Sequence, residues 1–175
     1  MDFRADVIYA GDIRTSEQAK AVAEASLRCP LVVCTLHAKT AAQVINRLQR
    51  MGVEDYQLSA ALIIVIAQEL RRQLCQKCKT AEEGGQFTAR GCEACGGTGL
   101  SGLTLVGEVL PVTPEISTQL ERHAGGERVM KHAVSKDGVL PMREVEKRKA
   151  AAGLIELRPE AASDETDDAS PRPGA

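Results

Sequence analysis

Residues 6–37 read DVIYAGDIRTSEQAKAVAEASLRCPLVVCTLH, and this stretch decides the fold. Residues 6–10 form an apolar segment that predicts a short buried strand. Thr15 and Gln18 match a capping box, which predicts that a helix begins at this point. Residues 31–36 are apolar and rich in β-branched side chains, which is typical of a central parallel strand. Strand, helix and strand in this order indicate an α/β fold with a parallel sheet.

Helical spacing of apolar residues predicts two more helices after the second strand. The first covers about residues 40–51, and the second covers about residues 56–73 with Asp55 as its cap. Each has apolar side chains three or four positions apart, which is the pattern of a helix with one buried face. The remaining predicted elements are a strand over 103–110, a helix over 114–122 and a mostly solvated helix near 143–152.

Four cysteines form two CxxC pairs, Cys75 with Cys78 and Cys92 with Cys95. The pattern C-x2-C-x13-C-x2-C is close to the spacing of a structural zinc site with four thiolate ligands. Such a site has no open coordination position, so it would stabilise the fold and would not carry out catalysis. Two other interpretations remain open at this point: four reduced thiols without a metal, and a redox-active CxxC pair.

The composition argues against several classes of partner. Aromatic residues make up 2% of the 175 residues and Trp is absent, so a base-stacking platform for nucleic acid is not expected. The net charge is -2 and no basic stripe is evident, which also argues against nucleic acid as a partner. The longest apolar run, residues 60–67, is too short to span a bilayer. The charged residues after Met1 do not match a signal peptide, and together with the CxxC pairs they indicate a cytoplasmic protein.

Changes in pattern along the chain predict four segments. An α/β core comes first, a cysteine module follows, and a helical region comes third. An acidic tail without large apolar residues is expected to be disordered. The predicted limits are 1–74 for the core, 75–110 for the cysteine module, 111–158 for the helical region and 159–175 for the tail.

Two polar residues follow the predicted parallel strands, Asp12 after the first and His37 after the second. Open parallel sheets bind their ligands at the carboxyl ends of the strands. An acid at this place can hold Mg²⁺-bound water or polarise an attacking water, and a histidine can hydrogen-bond to a phosphate. Taken singly, each residue also fits an ordinary role, Asp12 as a helix cap or turn residue and His37 as a satisfied side chain.

Residues 5–14 read ADVIYAGDIR, and residues 33–41 read VCTLHAKTA. The first segment resembles the Walker B segment, and the second resembles the His box, of one known family, the type II secretion and type IV pilus assembly ATPases. Residues 47–53 and 67–75 continue the likeness, and the cysteine module follows at the matching place. The resemblance covers about residues 5–155, which correspond to the carboxyl-terminal third of a typical family member.

The resemblance implies the second half of a RecA-like P-loop NTPase domain, with a small tetracysteine zinc subdomain and carboxyl-terminal helices. It implies a hexameric cytoplasmic motor, peripheral to the inner membrane, that binds and hydrolyses ATP with Mg²⁺. That activity would drive pilus or pseudopilus assembly or protein secretion. The partners it implies are further copies of the chain or a chain that carries the P-loop, together with inner-membrane assembly proteins.

The family motifs also imply roles for individual residues. Asp12 occupies the position of the catalytic Walker B acid, and His37 occupies that of the His-box residue near the γ-phosphate. Thr35 and Thr40 would shape the nucleotide-binding loop, and Arg72 matches a basic residue that follows the third helix. The zinc ligands that the resemblance implies are Cys75, Cys78, Cys92 and Cys95.

The chain departs from the family pattern at several positions. Asp12 stands where the family has Glu, so its carboxylate is one methylene shorter, and Glu69 and Leu103 stand where Arg is usual. No GxxxxGK[ST] loop occurs in the sequence. In P-loop enzymes the backbone amides and the Lys of that loop hold the phosphates. We therefore expect this chain alone to be inactive in ATP hydrolysis.

Two other functions fit parts of the sequence. A non-enzymatic zinc-containing module derived from such an ATPase would dock onto an assembly protein and would not need Asp12 or His37. Residues 92–99 also match one zinc repeat of the DnaJ-type chaperones, although this match accounts for far fewer residues. We further expect marginal stability or association, because a parallel sheet without its P-loop strand has an open edge.

Overall fold

The structure is a computed structural model that describes residues 5–82 and 84–157. The predicted acidic tail over 159–175 lies outside the described residues. The helices are α1 (Ser16–Ser26), α2 (Ala41–Arg50), α3 (Asp55–Ala61), α4 (Pro114–Glu121), α5 (Gly126–Lys136) and α6 (Met142–Ala151). The strands are β1 (Val7–Asp12), β2 (Leu31–Thr35), β3 (Ile64–Leu74), β4 (Lys79–Ala81), β5 (Phe87–Ala89) and β6 (Leu100–Pro111).

The predicted strand–helix–strand unit at the start of the chain is confirmed. β1 and β2 are parallel, and the register pairs Val7 with Leu31 and Asp12 with Thr35. α1 connects them, and its capping box is formed as expected. The Gln18 N–H donates to Thr15 Oγ1 at 3.3 Å, and Gln18 Oε1 accepts from the Thr15 N–H at 3.2 Å. The chain is therefore an α/β protein in which local capping and β-branched strands set the first elements.

The prediction that these two strands are buried is wrong for the described part of the chain. Tyr9 on β1 is 70% exposed, and Val33 on β2 is 44% exposed. Successive side chains of a strand point to opposite faces of the sheet. Val32 points toward the small residues of α1, whereas Tyr9 and Val33 lie on a face that no other described element covers. Apolar residues on both faces of a strand predict that the strand is buried. It is buried only if another element packs on each face of the sheet.

The predicted helix over 56–73 is also wrong in its second half. α3 ends at Ala61, has Glu54 and not Asp55 as its N-cap, and is followed by the strand β3. Residues 63–66 are Ile, Ile, Val and Ile, and four consecutive β-branched residues favour a strand over a helix. β3 pairs with β6, and the Val112 N–H next to the ladder donates to the Ile63 carbonyl at 2.9 Å.

α5 was not predicted, and it is part of the main core. Its first residue, Gly126, packs so closely on α2 that a Cβ there would lie 2.0 Å from the Ala42 carbonyl oxygen. Asn46 of α2 accepts the Gly126 N–H at 2.7 Å. The fully or almost fully buried residues of this core include Ile13, Ile45, Leu58, Leu110, Ile116, Leu120 and Val129.

The chain divides into two compact units. Among the described residues, the first contains 5–71 and 103–146, and the second contains 72–82, 84–102 and 147–157. In the second unit, β4 and β5 form an antiparallel hairpin that pairs Lys79 with Ala89. The four-segment division predicted from the sequence remains a proposal about domain limits.

No helix within residues 5–82 and 84–157 is long and apolar enough to cross a membrane.

Candidate functional site

Asp12 and His37 meet where β1 and β2 end. Asp12 is the last residue of β1 and is paired with Thr35, the last residue of β2. The Ile13 N–H donates to the Thr35 carbonyl at 2.8 Å, which keeps the two strand ends together. His37 follows two residues later, and its Nε2 lies 3.6 Å from Asp12 Oδ2. Three of the predicted site residues are thus adjacent.

Arg14 is a further member of this cluster that the sequence analysis did not assign. Its Nε donates to Asp12 Oδ2 at 2.7 Å. This hydrogen bond is the largest influence on the pKa of Asp12 and lowers it, while desolvation opposes the change to a smaller extent. The charges of His37 and Arg47 act in the same direction as Arg14. The Asp12 carboxylate is therefore ionised at neutral pH, as a magnesium ligand or a general base must be.

The loop from His37 to Thr40 is held by the first turns of α2. Arg47 Nη1 donates to the His37 carbonyl at 2.8 Å, and the Lys39 N–H donates to Gln43 Oε1 at 2.9 Å. Thr40 is the N-cap of α2, and its Oγ1 accepts the Gln43 N–H at 3.3 Å. In this structure the Thr40 side chain shapes the loop through capping.

The sequence indicates that Arg14 lies close to Asp12, but it gives only a weak indication that Arg47 contacts His37. Side chains two positions apart on extended backbone leave the chain on the same side, so Arg14 could have been placed next to Asp12. Arg47 lies ten residues after His37 and reaches it only because α2 folds back along the loop. That contact follows from the tertiary structure and not from residue spacing.

Arg72 does not follow a helix, contrary to the sequence-based prediction. It lies within β3, in the second unit, and its side chain is exposed. Arg72 does not follow a helix because residues 64–74 form the strand β3, where the sequence predicts the second half of a helix. The positions that the structure brings together are therefore Asp12, Thr35, His37 and the loop up to Thr40.

The cluster of Asp12, Arg14 and His37 has groups that suit both kinds of ion. The carboxylate suits a cation, and the guanidinium and imidazole suit an anion. The Arg14 and His37 side chains are 73% and 79% exposed, so they are accessible to a ligand. A carboxylate beside a guanidinium and an imidazole fits the magnesium and the phosphate oxygens of a nucleotide. The sequence holds no GxxxxGK[ST] motif, so the backbone amides that hold the phosphates in P-loop enzymes are not part of this cluster.

The four cysteines Cys75, Cys78, Cys92 and Cys95 come together in the second unit. Their Sγ atoms all lie within 4.8 Å of one another. The Cys75–Cys92, Cys78–Cys95 and Cys92–Cys95 Sγ pairs are 3.9, 3.8 and 3.7 Å apart. A tetrahedral zinc site with Zn–S bonds of about 2.3 Å has edges of about 3.8 Å. The donor set therefore fits a tetrahedral metal ion.

Backbone amides and burial give these thiols different acidities. Cys95 Sγ accepts the Cys92 N–H at 3.1 Å and the Gly99 N–H at 3.2 Å. The bond from Cys92 is the main cause that lowers the pKa of Cys95 to about 6. Desolvation instead raises the pKa of Cys78 to about 12. A divalent cation would supply the charge that lets Cys78 bind as a thiolate.

Two glycines are required for the backbone around the cysteines to fold this way. Gly91 has φ of 88°, and a Cβ there would lie 2.3 Å from the Gly97 carbonyl oxygen. Gly99 has φ of 72°, and a Cβ there would lie 2.5 Å from the Ala89 Cβ. Any larger residue would push apart the turns that carry the second CxxC pair.

Comparison with known proteins relates the whole arrangement to one family. The family model described as type II/IV secretion system protein matches residues 1–161. The chain is 37% identical to the type IV pilus assembly ATPase PilB of Thermus thermophilus over 170 residues, with 87% of this chain covered. It is 38% identical to the type II secretion system protein HxcR of Pseudomonas aeruginosa over 152 residues, again with 87% covered.

Solved structures show the same fold. The ATPase DotB of Yersinia pseudotuberculosis superposes with a TM-score of 0.62 at 19% identity over 87% of this chain. The pilus retraction motor PilT superposes with a TM-score of 0.56 at 22% identity, also over 87%. The chain covers 35% of DotB and 37% of PilT. It covers 19% of PilB and 32% of HxcR, so it spans a fifth to a third of the curated relatives' length.

Proposed function

The chain belongs to the type II/IV secretion system protein family, and we propose that it is the carboxyl-terminal portion of a secretion or pilus assembly motor ATPase. In this role it binds ATP with Mg²⁺ and contributes to the hydrolysis that drives pilus or pseudopilus assembly or protein secretion. The proposed assembly is a cytoplasmic hexamer that reaches the inner membrane through partner proteins.

The observation that carries this proposal is the 3.6 Å approach of His37 Nε2 to Asp12 Oδ2 at the ends of two parallel strands. Asp12 holds magnesium-bound water or orients the attacking water, and His37 hydrogen-bonds to the terminal phosphate. Thr35 and Thr40 shape the loop around the nucleotide. Arg72 is the basic position of the family motif and lies on β3.

The four-cysteine cluster holds a structural zinc ion in this proposal. Its geometry fits a tetrahedral site, and all four ligands come from the protein, so no position is open for catalysis. The ion stabilises the second unit, and ATP with Mg²⁺ binds at the strand ends of the first unit.

The site is completed by a phosphate-binding loop from elsewhere in the assembly. The sequence holds no GxxxxGK[ST] motif, and the chain spans a fifth to a third of its curated relatives. Hydrolysis by the 175-residue chain alone is therefore not expected. The missing half of the site comes from a polypeptide that carries the P-loop.

A fragment-complementation assay tests this proposal. The zinc-loaded chain is mixed with the part of HxcR that precedes the region matched here, and ATP hydrolysis is measured. The positive control is the same part of HxcR mixed with its own carboxyl-terminal portion. We expect hydrolysis on mixing, and its loss with Asp12→Ala or His37→Ala. The matched controls Asp6→Ala, just before β1, and His132→Ala, on α5, should retain it.

One observation favours a second function, a non-enzymatic zinc-containing module that binds an assembly protein. Asp12 is the shorter acid, and Arg14 already occupies one of its oxygens at 2.7 Å. In that case the positive control hydrolyses ATP, whereas the mixture with this chain does not. Asp12→Ala and His37→Ala would then leave binding to the assembly protein intact, and Cys75→Ser would abolish it. This pattern would replace the motor proposal.

A further inference from the structure

Glu108 is a buried carboxylate with no part in the roles assigned above. It lies on β6, and 2% of its surface is exposed. Its two oxygens have different partners. Oε1 accepts the backbone N–H of Ala41, and Oε2 accepts the backbone N–H of Met142 at 2.7 Å. A carboxylate is costly to bury unless its oxygens receive hydrogen bonds, and here both oxygens do.

Both amides that bind Glu108 belong to the first residue of a helix. Ala41 begins α2, and Met142 begins α6. N–H groups in the first turn have no partner within their own helix, and the helix dipole places partial positive charge there. One negative side chain therefore serves the amino ends of two helices and holds both against β6.

The start of α2 determines where His37 lies. The His37 side chain is 79% exposed, so packing around the ring does not hold it in place. Its backbone is held instead, because Arg47 binds the His37 carbonyl and Gln43 binds the Lys39 N–H. Both of these side chains belong to α2. A movement of the first turn of α2 would therefore change the distance between His37 and Asp12.

We propose that Glu108 is a positioning residue of the Asp12–His37 site. By accepting the Ala41 and Met142 N–H groups, it fixes the start of α2 and joins it to the start of α6. Its importance for nucleotide chemistry rests on the proposed function, whereas its effect on His37 does not. Glu108→Gln keeps the size of the side chain but replaces one acceptor oxygen with an NH₂ donor, so one helix amide loses its partner.

NMR spectroscopy of the full zinc-loaded chain, at constant pH and without nucleotide, tests this role. The readouts are the imidazole signals of the three histidines and the hydrogen exchange of the Ala41 and Met142 amides. We expect Glu108→Gln to shift the His37 signal and leave the His132 signal in place. The amide that faces the Gln NH₂ group, either Ala41 or Met142, should also exchange about tenfold faster, because it loses its hydrogen bond.

Glu146→Gln is the matched control. Glu146 is a second buried carboxylate, 6% exposed, and its partners are the side chains of Arg71 and Arg143. This variant should leave the His37 signal and the Ala41 exchange unchanged. Equal changes in both variants would indicate general loosening of the fold and would overturn the proposal.

An unchanged His37 signal in folded Glu108→Gln, with unchanged exchange of both the Ala41 and the Met142 amide, would also overturn the proposal. If that variant does not fold, Glu108→Asp, which keeps the charge and shortens the reach, is judged by the same signals. Failure of the unaltered chain in the complementation assay would remove the proposed function, but it would not alter this result.

Discussion

Asp12 and Arg14 lie two positions apart on extended backbone, and the guanidinium of Arg14 binds the carboxylate directly. This contact lowers the pKa of Asp12 below its ordinary value of 3.8. A carboxylate whose pKa is lowered by folding adds stability above its ordinary pKa and loses it as the pH falls through the lowered value. The pair therefore keeps the carboxylate charged and limits its motion.

Arg14→Gln should raise the pKa of Asp12 toward its ordinary value, because the charged donor is lost. The pH at which Asp12 loses its charge would then move upward. Carbon-detected NMR titration of the carboxylates measures this shift. Arg28→Gln is the control, since Arg28 pairs with Glu24 on α1 at the same 2.7 Å distance. An Asp12 pKa that is the same with and without Arg14 would show that their hydrogen bond is not formed in solution.

Whole elements follow from the sequence when local signals are strong. The capping box of Thr15 and Gln18 placed the start of α1 correctly, and Thr40 and Pro114 mark the starts of α2 and α4. The helical spacing of apolar residues predicts a helix at residues 63–66. These residues instead lead into the strand β3, whose hydrogen bonds to β6 stabilise the extended conformation. Tertiary hydrogen bonding therefore outweighed an ambiguous local pattern.

The second unit is small, and we expect its elements to depend on the metal. A short hairpin is at most marginally stable in water without further support. Metal analysis should return one zinc per chain. A strong chelator should increase hydrogen exchange in β4 and β5 and leave α2, α4 and α5 protected.

Variants of single cysteines test whether zinc binding depends on the four-cysteine cluster and not on cysteines elsewhere in the chain. Cys75→Ser should lose zinc, whereas Cys29→Ser, which changes a free cysteine outside the cluster, should retain it. A purified chain with no metal and four titratable thiols in the cluster would remove the zinc site. Protection of β4 and β5 that survives complete chelation would show that the ion does not stabilise this unit.

At the scale of the whole molecule, the first unit exposes six aliphatic side chains on the paired strands β3 and β6. Each is 48% to 63% exposed, and buried residues flank Ile66 on β3 and Val109 on β6. The six residues are Ile64, Ile66 and Leu70 on β3, and Leu103, Leu105 and Val109 on β6. Soluble monomers rarely leave such a surface uncovered, so it is expected to be an interface.

We therefore expect the isolated chain to associate. Its thermal unfolding midpoint should rise with protein concentration, because association stabilises the folded state. Ile66→Thr combined with Leu105→Thr should weaken association in analytical ultracentrifugation. Val134→Thr is the control, since Val134 is an exposed aliphatic residue on α5. A monomer with a sharp unfolding transition that does not depend on concentration would contradict this expectation.

Local patterns along the chain were sufficient to predict the first strands and helices, the four thiols at metal-ligand spacing, and Asp12 and His37 at neighbouring strand ends. Caps, β-branched runs and CxxC turns act over a few residues, so their signals can be read from the sequence. The tertiary structure alone decided the strand β3, the place of α5 and the exposure of β1 and β2. It also decided the contacts of Glu108 with Ala41 and Met142, 67 and 34 residues away along the chain. Those features depend on which distant backbone groups find a partner, and that is settled only when the chain packs.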